Sequence, residues 1–238
     1  MVKQLRVFRP ARAPYDAALE AQVACVQRLK SGQERPETGF LLLLTHPPVI
    51  TVGRSGGESN VLVSEERLRR EGVALRHVSR GGDVTYHGPG QIVGYPILRL
   101  DGRDRDVHAY LRRLEQVIID ALADFRIESG RRPGFTGVWA GEEKIAAIGV
   151  AITRWVTYHG FALNVDPDLG HFALINPCGI TDRRVTSMAR LLEAPVDPRR
   201  VEDALLAHFA GEFGFDEVVE SRALPAWPEP ALSHEHRR

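Results

Sequence analysis

The stretch RGGDVTYHGPGQIVGYP, Arg80 to Pro96, constrains this chain more than any other. Val84, Ile92, Val93 and Tyr95 have the character of strand residues, yet five glycines fall among them. Glycine weakens a strand interior and offers nothing to pack. At this density it marks backbone that must adopt positive φ or approach something closely. Gly81, Gly82, Gly88 and Gly90 are expected to line a groove with little side-chain bulk. Arg80 and exposed backbone N–H groups suit an anionic or carbonyl oxygen. Thr85, His87 and Gln91 would furnish the polar groups of a mostly apolar small-molecule site. No Walker-type glycine–lysine loop occurs, so phosphate cradling by that route is excluded.

The totals narrow the class of function. Lysine plus arginine, 31, equals aspartate plus glutamate, 31, which argues against a polyanion-binding surface and a nucleic-acid partner. The N-terminus has no apolar stretch after its charges, and the longest strongly apolar run is Phe40 to Leu44, too short to span a bilayer. A cytoplasmic protein without a membrane partner is expected. Two cysteines, Cys25 and Cys178, make no disulfide framework, and no CxxC pair or histidine-rich cluster points to a metal site. Lys3, Lys30 and Lys144 are the only lysines, so a lysine inside a motif stands out: lysine can release its proton where arginine cannot.

Local patterns predict a helix over Pro14–Lys30 ending at Gly32. Phe40–Val52 reads as a strand pair or one bent strand, interrupted by Pro47-Pro48. A short helix around Ser64–Glu71 and a strand over Val73–Val78 follow. Asp104 or Asp106 caps a long amphipathic helix with Val107, Tyr110, Leu114, Val117, Ile118 and Leu122 on its apolar face. Thr136–Val165 reads as a three-strand meander. FALINPCGI reads as a loop, with helices following from about Asp182 to Leu192 and from about Pro198 to Phe213. Together these describe an α+β single domain with a mixed, largely antiparallel sheet and helices on one side. Residues 1–220 form the catalytic domain and 221–238 a weakly ordered tail.

Three further positions carry possible chemistry. Lys144, in GEEKIAAIG, would exchange protons near neutrality if desolvated in an apolar groove. Cys178 lies between Asn176-Pro177 and Gly179, in a rigid loop ahead of a helix capped by Thr181 or Asp182, surroundings that favour a thiolate. Its proton acceptor is left open by the residues alone: His87, His159 or Lys144. His159, in YHGFALNV, reads as lying at a strand turn at the groove's end of the sheet. Cys25 reads instead as a buried structural thiol on a helix.

RGGDVTYHGPGQIVGYP, KIAAIG, HGFALNV and NPCGITDRRVTS, in this order between about Arg80 and Ser187, resemble the lipoyl(octanoyl) transferases, and THPPVITVGRSG fits an earlier family segment. The resemblance implies the fold of biotin and lipoate protein ligases. It also implies transfer of an octanoyl group from acyl carrier protein to a lysine of a lipoyl domain, without a cofactor. It assigns Cys178 as the acyl-enzyme nucleophile and Lys144 as the general acid–base. It assigns substrate binding to Arg80, Gly81, Gly82, Asp83, Val84, Thr85, Tyr86 and His87. Ala147, Ile148 and Gly149 form a second implied binding segment, and Gly160, Phe161 and Ala162 a third. The implied acceptors are the lipoyl domains of 2-oxoacid dehydrogenase complexes and the glycine cleavage H protein, and the implied state is a monomer. An ATP-dependent lipoate or biotin protein ligase would need no cysteine, a lipoyl-domain binding module no thiol–amine pair, and a cysteine hydrolase would have to admit water. Cys178 in its NPCGI setting favours the transferase.

Overall fold

The structure, a computed structural model, describes residues 2–176 and 185–226. Cys178, Gly179, Thr181, Asp182 and the tail from residue 227 onward lie outside the described residues. The first half runs β1 (Gln4–Phe8), α1 (Tyr15–Ser31), β2 (Thr38–Leu44), β3 (Val49–Val52), α2 (Glu65–Arg70), β4 (Ala74–His77), β5 (Val84–His87) and β6 (Gln91–Ile97). The second runs α3 (Val107–Ala123), β7 (Gly130–Arg132), β8 (Phe135–Ala140), β9 (Glu143–Thr153), β10 (Val156–Asn164), α4 (Met188–Leu192), α5 (Pro198–Phe213) and β11 (Glu217–Ser221).

Local chemistry sets the helix ends. Pro14 precedes the first turn of α1, and Gly32 closes it in the left-handed conformation. Ser64 caps α2 through Arg67 N, and the Asp106 carboxylate accepts from His108 N and Ala109 N to start α3.

Among the described residues an eight-stranded sheet runs β11-β1-β2-β6-β10-β9-β8-β7, and a smaller one runs β4-β3-β5. β1 pairs in parallel with both β11 and β2, while every other pair of the large sheet is antiparallel. The mixed, largely antiparallel α+β architecture is therefore as expected.

Four expectations need correction. First, β2 and β3 do not pair with each other. The chain passes from the large sheet to the small one across Pro47-Pro48, where no N–H is available to continue a ladder. Second, helices cover both faces of the large sheet. Phe40, Leu42 and Leu44 pack with Ala18, Cys25 and Leu29 of α1, while Leu41 and Leu43 pack with the α3 and α5 side. Third, the helix expected from Asp182 begins at Met188, where the Ser187 side chain accepts from Arg190 N, and Val185 to Ser187 are extended. Fourth, the first three residues of the expected loop, Phe172 to Leu174, complete a 3-10 turn over Leu169–Leu174. β11 was not anticipated, and Leu224 beyond it still packs against the α1-side core.

Candidate functional site

The glycine-rich stretch forms β5, a turn and β6, and its side chains converge with those of β9 and β10 on one cavity of about 390 Å³. That volume lies in the range of small-molecule sites. Val93, Ala146, Ile148, Phe161 and Ala162 give the wall its apolar part, with Tyr15 of α1 and Trp139 of β8. Arg80, Lys144, His87, His159, Gln91 and Asn164 supply polar groups.

Most of the implied binding positions meet here. Arg80, Gly82, Asp83, Val84, Thr85 and His87 all border the cavity, as do Ala147, Ile148, Gly149, Gly160, Phe161 and Ala162. Gly81 and Tyr86 do not. Gly81 N donates to Val150 O, and the Tyr86 ring faces the small-sheet core, stacked on His171 at 4.9 Å between centroids. Nor do Gly88 and Gly90 line the groove as expected. Gly90 has φ +86, and a Cβ there would collide with the backbone of Asp166 and Pro167, so it is a tight crossing of two chain segments.

Gly160 is a true wall glycine. It faces Gly149 across the β9–β10 ladder, and a Cβ on it would overlap the carbonyl oxygen of Gly94 on β6. Backbone cannot swing aside as a flexible side chain can. Gly160→Ala is expected to cost about 3 kcal/mol, the upper end of ordinary overpacking, read as a lower denaturant midpoint at unchanged slope.

His159, expected at a turn, stands inside β10 with φ +56, where a non-glycine residue is uncommon. Its backbone N–H donates to Gln22 Oε1 of α1 at 2.8 Å, which anchors the kink, and its Nε2 meets Ser79 Oγ at 3.2 Å. Arg80 reaches inward from its loop, donating from Nε to Thr51 Oγ1 and from Nη2 to Thr51 O at 2.6 Å. Lys144 is the second residue of β9, with Nζ 5.5 Å from the Trp139 ring centroid. Its carbonyl accepts from Thr186 N, and it bridges Val185, the first residue described after the segment bearing Cys178.

Electrostatics keep the imidazoles neutral. Burial holds His87 well below its ordinary range, with His46 and Arg80 adding to the effect. Burial lowers His46 to about 4, and burial with Arg80 and Arg54 nearby lowers His159 to about 4. Burial also pushes Tyr15 up to about 12 and raises the Cys25 thiol, so Cys25 is an inert core residue as expected.

Sequence reasoning missed Tyr15, Tyr95, Trp139 and the part played by Asn164. Asn164 stands inside the quoted HGFALNV segment, as the polar residue that follows the apolar run Phe161 to Leu163 at the end of β10.

Comparison with known proteins gives a consistent result. The model of the lipoyl protein ligase A/B catalytic domain matches residues 14–210. An octanoyltransferase of Solibacter usitatus is 53% identical over 206 residues, 86% of this chain and 91% of that protein. One from Thermoanaerobacter pseudethanolicus is 45% identical over 219 residues, 91% and 94% of the two chains. Among solved structures, a lipoate-protein ligase A bound with ATP superposes with a TM-score of 0.73 at 16% identity, covering 93% of this chain and 91% of that one. A bipartite lipoate protein ligase from Thermoplasma acidophilum superposes at 0.70, also at 16% identity, covering 93% and 89%. At that identity the superpositions speak for the fold alone.

Proposed function

This chain belongs to the lipoyl protein ligase A/B catalytic-domain family, and from that premise we propose that it transfers an octanoyl group from acyl carrier protein to the lysine of a lipoyl domain. The observation that carries the reading is the cavity: an apolar slot bordered by Gly149 and Gly160, with an amine, Lys144, on its wall. Burying the six methylenes of an octanoyl chain there is worth roughly 5 kcal/mol before the entropy of ordering it. The curated relatives named octanoyltransferases, over nearly the whole chain, favour transfer over ATP-dependent ligation.

In the proposed mechanism Lys144 Nζ takes the proton from Cys178 Sγ, and the thiolate attacks the carbonyl carbon of the octanoyl thioester. Backbone N–H groups stabilise the oxyanion. The C–S bond to the carrier breaks, and the departing thiolate takes the proton back from Lys144. The neutral amine of the acceptor lysine then attacks the Cys178 thioester, giving its proton to Lys144. The amide forms, and Cys178 Sγ leaves and is reprotonated. One thioester becomes one amide and one thiol, so no ATP is consumed, and two protein substrates use one site in turn.

The acceptors belong to this reading as lipoyl domains of 2-oxoacid dehydrogenase complexes and the glycine cleavage H protein. So do a monomeric state, a cytoplasmic location and a single catalytic domain over residues 1–220. Among the described residues no helix is long and apolar enough to cross a membrane.

Intact mass after mixing with octanoyl-acyl carrier protein, without ATP, tests the proposal. The wild type is expected to gain one octanoyl group, discharged by a lipoyl domain, and Cys178→Ser to gain none. Transfer that appears only with free octanoate and ATP would establish a ligase instead.

A further inference from the structure

Along the cavity wall a chain of side-chain amides ends on His87. Asn164 Nδ2 donates to Thr186 O at 2.9 Å, and Gln91 Nε2 donates to Asn164 Oδ1 at 2.9 Å and to Tyr86 O at 3.2 Å. Gln91 Oε1 lies 3.3 Å from His87 Nδ1. Amide orientation is ordinarily a matter of assignment, but here the backbone decides it. Thr186 O and Tyr86 O can only accept, so the NH₂ groups of Asn164 and Gln91 must face them. That leaves Gln91 Oε1 toward His87, and an amide oxygen can only accept. The hydrogen of a neutral His87 is therefore on Nδ1, and Nε2 is a bare acceptor. Nε2 makes no hydrogen bond among the described residues, while His87 borders the cavity. The far end of the chain is tied to the amine's own strand, since Thr186 N donates to Lys144 O.

We propose that Gln91 and Asn164 are positioning residues that hold His87 in its Nδ1–H tautomer, so that Nε2 accepts a hydrogen bond from the incoming amine of the acceptor lysine. The role as amine receptor rests on the transfer reading above, whereas the tautomer does not. Lys144 removes the amine's proton, and His87 Nε2 orients the remaining N–H so that the nitrogen lone pair points at the acyl carbon. An Nε2–H tautomer would present a donor there, which would bond to the amine's lone pair and hold it away from the acyl carbon. His46 provides an internal comparison. Its Nδ1 faces Ala13 O at 2.8 Å and must donate, leaving Nε2 to accept from Tyr95 OH at 2.7 Å, with no amide relay needed.

Nitrogen-15 spectra of the histidine rings at pH 7 decide the tautomer on the wild-type protein. The expected result is a protonated Nδ1 and an unprotonated Nε2 for His87, assigned by loss of its signals in His87→Gln. A protonated Nε2 would overturn the proposal, whatever reaction the protein catalyses. The functional half is read by separating the two half-reactions. In Asn164→Leu, which removes both amide contacts, discharge of the acyl-enzyme by a lipoyl domain should slow about tenfold, the effect of one lost hydrogen bond, with acylation by the donor nearly unchanged. Asn164→Asp keeps an acceptor for Gln91 but sets a buried carboxylate oxygen against Thr186 O, so it should leave discharge slow as well. Equal slowing of both half-reactions, or none, would leave the amides a purely structural role and refute the proposal. Absence of any acyl adduct on wild type would instead sink the transfer reading, with the tautomer still decided by the spectra.

Discussion

Replacing Lys144 with methionine is expected to slow octanoyl transfer by about 10²- to 10⁴-fold, the contribution of a well-placed general acid–base. Methionine keeps much of the stem and removes only the group that moves protons. The fold should survive: Lys144 borders a cavity, and its Nζ lies 5.5 Å from the Trp139 ring centroid, a contact worth at most about 0.5–1 kcal/mol at a partly exposed site. Lys144→Arg separates proton transfer from mere positive charge. Arginine keeps the charge but holds its proton, so it should be as slow as methionine. If arginine retains activity, Lys144 acts as a fixed cation that steers the thioester, and the acid–base assignment falls. Groups acting on one proton in one step are not additive, so Lys144→Met combined with Cys178→Ser should be no slower than the slower single variant. Single-turnover transfer, quenched and read by mass, gives all three results, and unchanged unfolding midpoints verify the fold.

How much of this was legible beforehand depended on whether the decisive physics was local. Caps are local, and Gly32, Ser64 and Asp106 end or begin helices where their side chains and φ preferences predict. β11 is a five-residue strand, exposed throughout, held at the sheet edge by main-chain pairing with β1 and by the contacts of Glu217 with Gln4 and of Glu220 with Arg9. No apolar alternation marks it, so nothing in its own residues separates it from a loop. The placement of helices on both faces was legible in retrospect. Phe40 to Leu44 are five apolar residues in a row, all buried, and an unbroken apolar run signals a strand covered on both sides. The glycine stretch was read correctly as the seat of a cavity but for partly mistaken reasons. Gly90 serves a backbone crossing, and the open wall comes more from Gly82, Gly149 and Gly160. Tyr86 and His87 are neighbours on β5, and alternation sends one ring into the small-sheet core and the other to the cavity. A motif read as a continuous binding segment conceals that division.

Below about pH 6.5 the fold is expected to lose stability steeply, and the cause lies around the same cavity. An unfolded histidine takes up a proton as pH falls through 6.5. His46 and His159 in the folded chain resist until about 4, and His87 is likewise held well below the ordinary value. Between those limits the unfolded chain binds up to three more protons than the native one. Stability therefore falls with pH, by about 1.4 kcal/mol per pH unit for each histidine and about 4 for the three. Against a total of about 5–15 kcal/mol for a typical domain, one or two pH units threaten the native state. Two carboxylates bound the window. Glu202, raised by burial, works in the opposite direction but contributes at most one proton. Asp16, lowered by its hydrogen bond to Arg76, loses its contribution only below its ordinary value of 3.8. Urea midpoints at pH 7, 6 and 5 measure the effect. His46→Gln isolates one histidine, because a glutamine amide can donate at Ala13 O and accept from Tyr95 OH yet never titrates. Its stability should fall with pH by about one proton less than wild type. Equal midpoints at pH 7 and 5 would mean that the buried imidazoles charge without unfolding the protein, and that water reaches the cavity wall more freely than its packing implies.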